Sequence, residues 1–160
     1  MQRQLCFRLT ALCLVAPIGA SAQISSAEFA ARRDSLAAHI DSGVVIAFGG
    51  RTPVTDFGPF YQLPAFHYLT NFDEADAAVV MVVHGGHATS TVFISPIDPR
   101  TAFYYGRRPD SATVVRTLGM SARSFAALEG VVDSLATTGL PVYTLADFAD
   151  ADFARPDSLT

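Results

Sequence analysis

The chain has 160 residues with fifteen acidic side chains against eleven basic ones, for a net charge of −4. The basic residues are all arginine and are scattered without a basic block, which argues against a nucleic-acid partner. The only two cysteines, Cys6 and Cys13, lie near the start, so neither a disulfide framework nor a cysteine metal site is available to the rest of the chain.

Residues 1–22 read as an export signal. Arg3 and Arg8 give a basic start, an apolar run follows, and Ala20-Ser21-Ala22 is a small-x-small cleavage site before Gln23. The run is too short for a bilayer span, which needs about 20 residues. Export to the periplasm or beyond is therefore expected. Cleavage leaves residues 23–160 with nine arginines against the fifteen acids, enough chain for one domain with a real core.

Ser25 and Glu28 match a capping box, and Phe29, Leu36 and Ile40 recur on one face, predicting a helix over residues 26–40 with Arg32, Arg33 and Asp34 mostly solvated. Residues 44–48 form a continuous apolar run rich in β-branched side chains, which suits a strand covered on both faces and ending at Gly49-Gly50. Three prolines and a glycine over residues 51–64 predict a long surface loop. Phe57, Phe60, Tyr61, Phe66, Tyr68 and Phe72 follow in close order and are expected to form the main core junction. Residues 66–70 fit a short helix or a short strand.

The runs 77–83 and 89–94 flank His84-Gly85-Gly86-His87 and predict a hairpin. Asp110 reads as an N-cap, Val114, Val115 and Leu118 as a helical face, and Gly119 as its stop. A further helix is expected over residues 124–138, with Phe125, Leu128, Val132 and Leu135 at helical spacing, and a last strand over 141–145. The sum is an α/β fold, a mixed sheet with flanking helices. Residues 146–160 are small and acidic and read as the start of an interdomain linker.

No arrangement of residues marks a catalytic centre. His84 and His87 form H-x-x-H, but on a turn taken as mobile they read as exposed polar residues, and His67 reads as packed among aromatics. Asp73, Glu74 and Asp76 lack calcium-loop spacing and suit a solvated turn. There is no G-x-S-x-G elbow, and Gly49-Gly50 matches no phosphate-binding fingerprint. Arg107-Arg108 fits either a clamp on a carboxylate or another domain, or a solvated pair.

Two stretches carry a family resemblance. Asp56, Pro59-Phe60-Tyr61-Gln62, Phe66, Tyr68-Leu69-Thr70-Asn71-Phe72, Glu74 and Ala77 are the first, and the second runs from Thr91-Val92-Phe93-Ile94-Ser95-Pro96 through Asp98-Pro99-Arg100 to Tyr104-Tyr105-Gly106-Arg107-Arg108. Together they resemble the N-terminal domain of the Xaa-Pro aminopeptidase (aminopeptidase P) and prolidase group, the creatinase-like metallopeptidases, over about residues 27–145. Tyr61 stands where that family commonly has Arg, and Asn71 where it has Gly. The resemblance implies a creatinase/prolidase-type N-terminal domain at 23–145 that covers a substrate cleft and supports a homo-oligomer. It implies no cofactor for this chain, and two divalent metal ions, commonly manganese, in a C-terminal catalytic domain that hydrolyses the peptide substrate. Tyr104 is the implied substrate-cleft residue, and Arg107 and Arg108 are implied contacts between domains or subunits. The competing reading is a stand-alone exported binding or scaffold module.

Overall fold

The computed structural model describes residues 24–52, 60–95 and 99–145. The expected signal over 1–22, the expected linker over 146–160, and the motif residues Asp56, Pro59, Pro96 and Asp98 lie outside them. Helix α1 (Ser26–Ile40) and strand β1 (Gly43–Phe48) come first, then α2 (Pro64–Thr70) and the hairpin β2 (Ala78–His84) and β3 (His87–Ile94). Next are α3 (Pro99–Tyr105), α4 (Ser111–Leu118), β4 (Ser121–Ser124), a 3₁₀ turn (Phe125–Ala127), α5 (Leu128–Ala136) and β5 (Val142–Leu145). The strands form one mixed sheet in the order β4-β3-β2-β1-β5. In the centre β2 runs antiparallel to both β1 and β3, while β5 joins β1 and β4 joins β3 in parallel.

Strand alternation sorts the core into two layers. Val45, Ala47, Val79, Met81, Val83, Val92 and Ile94 face α1, α2 and α4, which contribute Ala37, Phe66, Leu69, Val114 and Leu118. Val44, Ile46, Ala78, Val80 and Phe93 face the other way, onto Leu128 of α5 and its half-buried neighbours Val131, Val132 and Leu135. That two-sided burial is why residues 44–47 read as an unbroken apolar run. Phe48, at the end of β1, departs from it and is 45 % exposed.

Helix α2 settles what residues 66–70 left open. Pro64 starts it, where a missing N–H costs nothing, and Asn71 ends it in the left-handed conformation at φ 55°. Asparagine tolerates that conformation better than most residues, so Asn71 closes the turn without glycine. Four carbonyls near its end are engaged. Thr70 Oγ1 donates to Phe66 O, Asn71 N–H to His67 O, Arg32 to Tyr68 O and Arg33 to Leu69 O at 2.8 Å.

Arg33 therefore corrects the expectation of a solvated charge: it is only 5 % exposed. Burial lowers its pKa and the neighbouring Asp34 opposes that, but a guanidinium stays charged in either case. Burying it is tolerable because the charge neutralises unpaired carbonyls at a helix C-terminus. Arg32 lies between the rings of Phe29 and Tyr68, at 4.6 and 4.5 Å from their centroids. The capping box also fails. Ser25 precedes α1 without a side-chain cap, and the Glu28 carboxylate turns to Arg32 instead.

Two further elements differ from expectation. The helix expected from 124 begins only at Leu128, because Ser121–Ser124 pairs with the edge of β3 and a 3₁₀ turn intervenes. Residues 99–105, for which the sequence suggested no element, form α3. Asp110 and Gly119 bound α4 as expected: the Asp110 side chain accepts from Thr113 N–H, and Gly119 adopts φ 66°.

Candidate functional site: the loop end of the sheet

The sequence motifs converge at one end of the sheet. Here β1 leaves at Gly49, β2 enters at Ala77 and β3 leaves at Ser95. The register that pairs Phe48 with Ala78 and Ala78 with Phe93 brings these points side by side. Leu145 lies at the same end, paired with Ala47.

Gln62 ties the end together. Its Oε1 accepts from Gly50 N–H at 2.6 Å and Leu63 N–H at 3.0 Å, while its Nε2 donates to Phe72 O at 2.9 Å and Glu74 O at 3.1 Å. One side chain thus joins the exit of β1, the entry to α2 and the loop before β2. Gly50 O accepts from Asp76 N–H at 2.9 Å, and Ser95 donates its hydroxyl to Asp76 O at 2.7 Å. Gly50 has no room for a side chain, since a Cβ there would lie 2.5 Å from Tyr61 O. Tyr61 itself is 77 % exposed and points its ring mainly at solvent.

The three acids serve three different partners. Asp73 pairs with His67 at 3.2 Å, which places His67 at the surface rather than inside the aromatic cluster. Glu74 lies 3.5 Å from Arg108, and the Asp76 carboxylate accepts from the Thr52 main chain and hydroxyl. Asp76 holds φ 55°, the left-handed region, which these contacts secure. The acids staple the loop and do not converge as an acid/base dyad.

Arg108 reaches across to Glu74, Ala75 O and Thr52, so its guanidinium is used within the domain. Arg107 is exposed and has no ion pair or hydrogen bond among the described residues. Tyr104 belongs to α3, but its side chain lies outside what the structure describes. Beside these loops a groove of about 570 Å³ runs between the start of α1, the loop after α2 and α4, lined in part by Phe29, Phe72, Glu74, Thr113 and Leu118.

Among the described residues no three His, Cys, Asp or Glu side chains gather where they could hold a metal ion. No helix among them is long and apolar enough to cross a membrane. Sequence reasoning singled out the arginines but missed Gln62 as the organising residue. Its only signal was its place in the first motif.

The comparisons with known proteins agree with this geometry. The family model described as aminopeptidase P, N-terminal domain matches residues 29–143. No curated protein matches the chain. Among solved structures, the low-pH form of Escherichia coli aminopeptidase P is similar at 28 % identity and TM-score 0.63, covering 71 % of this chain and 27 % of that one. The same enzyme with the inhibitor Pro-Leu gives 27 % identity and TM-score 0.68, over 82 % of this chain and 31 % of that one. A Bacillus anthracis protein assigned to aminopeptidase P shares the fold at 21 % identity and TM-score 0.69, over 78 % of this chain and 31 % of its own. The chain thus spans under a third of the length of these proteins. With the family match covering most of the described fold and the Gln62-centred loops built on the motif residues, the chain belongs to the aminopeptidase P N-terminal domain family.

Proposed function

We propose that this chain is the non-catalytic N-terminal domain of an exported Xaa-Pro aminopeptidase-like metallopeptidase. It covers the substrate cleft and supports oligomer assembly, while a C-terminal dimetal domain hydrolyses the peptide. The observation that carries this reading is the family match over residues 29–143, to a domain that corresponds to 27–31 % of the solved aminopeptidase P chains. The loop end of the sheet supports it. Gln62 and Arg108 fix the backbone there, and Arg107 stands exposed without a partner in the described domain, suited to an acid on a neighbouring domain or subunit. Tyr104, on the same connection, is the cleft-facing residue of the proposal.

Sequencing the source DNA through and beyond the codon for Thr160 tests it. The expected result is an open frame encoding a further domain with two Asp, one His and two Glu as metal ligands. A stop codon at that point would remove the catalytic partner and overturn the proposal.

A further inference from the structure

At the opposite end of the sheet from the loops lies the β2–β3 turn. Its histidines look inconsequential only while the turn is taken as mobile. The structure shows a supported turn. Gly85 and Gly86 adopt φ 56° and 76°, the two-residue geometry that matches strand twist. Gly86 N–H donates to Asp41 O at 2.8 Å, and a Cβ at Gly86 would lie 3.7 Å from the Ala38 backbone. The turn therefore rests against the end of α1.

The antiparallel ladder runs unbroken from Ala78↔Phe93 to its last rung, His84↔His87. Residues directly opposite on such a ladder share a face, with Cβ atoms about 4.5–5.5 Å apart. Alternation places this pair on the side of the sheet that carries α5, in line with Val82 and Thr89. Both histidines are exposed, and neither has a hydrogen-bond or ion-pair partner among the described residues.

We propose that His84 and His87 form a two-histidine site for a late first-row divalent ion, Ni²⁺, Cu²⁺ or Zn²⁺, with water completing the coordination shell. Imidazole suits these ions, and metal–nitrogen bonds of about 2.0–2.1 Å let two rings at this spacing close on one ion. Only side-chain rotations need to be frozen, because the ladder and the Asp41 contact already hold the backbone. No third His, Cys, Asp or Glu joins them among the described residues, so the protein supplies two ligands and the ion stays open to exchange. The site does not depend on the proposed peptidase function.

The test is Ni²⁺ titration of the 160-residue chain by calorimetry, alongside H84A, H87A, the double variant H84A/H87A, and H39A/H67A as a control. Cys6, Cys13 and the other histidines contribute a background common to the parent and the double variant. The expected result is one ion per chain that disappears in H84A/H87A and persists in H39A/H67A. Each single variant weakens it about tenfold or more, since losing a ligand costs at least what losing a ligand's support does. Added Ni²⁺ also raises the melting temperature of the parent more than that of the double variant. Circular dichroism confirms that these surface variants fold. Equal stoichiometry and affinity in parent and double variant would overturn the site, as would full affinity in either single variant.

Discussion

Replacing Gln62 by glutamate tests the claim that one amide organises the loop end of the sheet. All four of its partners are main-chain groups: two N–H donors meet Oε1 and two carbonyls meet Nε2, so only one amide orientation fits. Gln62→Glu keeps the shape and the two accepted bonds, which become charge-assisted. It also turns a carboxylate oxygen toward Phe72 O and Glu74 O in place of a donor. Each of the two carbonyls left unmatched costs about 1–3 kcal/mol, and the strengthened bonds return about 1 kcal/mol, for a net loss of about 1–5 kcal/mol at neutral pH. At about 3–4 °C per kcal/mol for a domain of this size, melting should fall by roughly 3–20 °C. Protonating the introduced carboxylate in acid restores one donor, so the gap to the parent should narrow below about pH 4. A Gln62→Glu chain that melts within about 2 °C of the parent at pH 7 would refute the clamp, because that shift is well under the 1 kcal/mol that a single unmatched carbonyl costs.

Gly50→Ala places a Cβ 2.5 Å from Tyr61 O and 2.9 Å from the Phe60 ring, forcing the backbone apart, and should cost about 1–3 kcal/mol in guanidinium unfolding. Arg33→Met keeps the buried stem but removes the donor to Leu69 O, for a loss of about 1–3 kcal/mol in urea titrations. Asp110→Ala should fray the first turn of α4, seen as faster amide exchange at Thr113, whereas Asp110→Asn should retain the cap. The hydrogen bond from Thr113 N–H, foremost, lowers the Asp110 pKa. The linked stability is thus fully present above the unfolded value of about 3.9 and is lost as pH falls through the lower folded value. Acid titration of Asp110→Asn should lack that contribution.

Elements that announce themselves through period and punctuation were legible: α1, the apolar β1, the Gly-Gly hairpin, and α4 with its Asp110 and Gly119 ends. Ser121–Ser124 was not, because four small or polar residues become a strand only through the open edge of β3, and no local pattern records that edge. Seven residues were too few to decide α2 by periodicity, so Pro64 and Asn71 carry the signal at its ends. Arg33 looked like any charge on a solvated helix, since its partner Leu69 is 36 residues away in sequence. Gln62 was visible as a motif letter, but its four bonds depend on loops meeting in space. The hairpin histidines were visible too, and what the sequence hid was the Asp41 contact that steadies their turn.

The most direct test of the central claim is a side-by-side assay of Xaa-Pro peptide hydrolysis with Mn²⁺ added, using the purified 160-residue chain and the product of the longer reading frame that the proposal expects. The account predicts no turnover by the chain and clear turnover by the longer product. Hydrolysis by the 160-residue chain alone would contradict it, as would a longer product that is folded, metal-loaded and inert toward Xaa-Pro peptides.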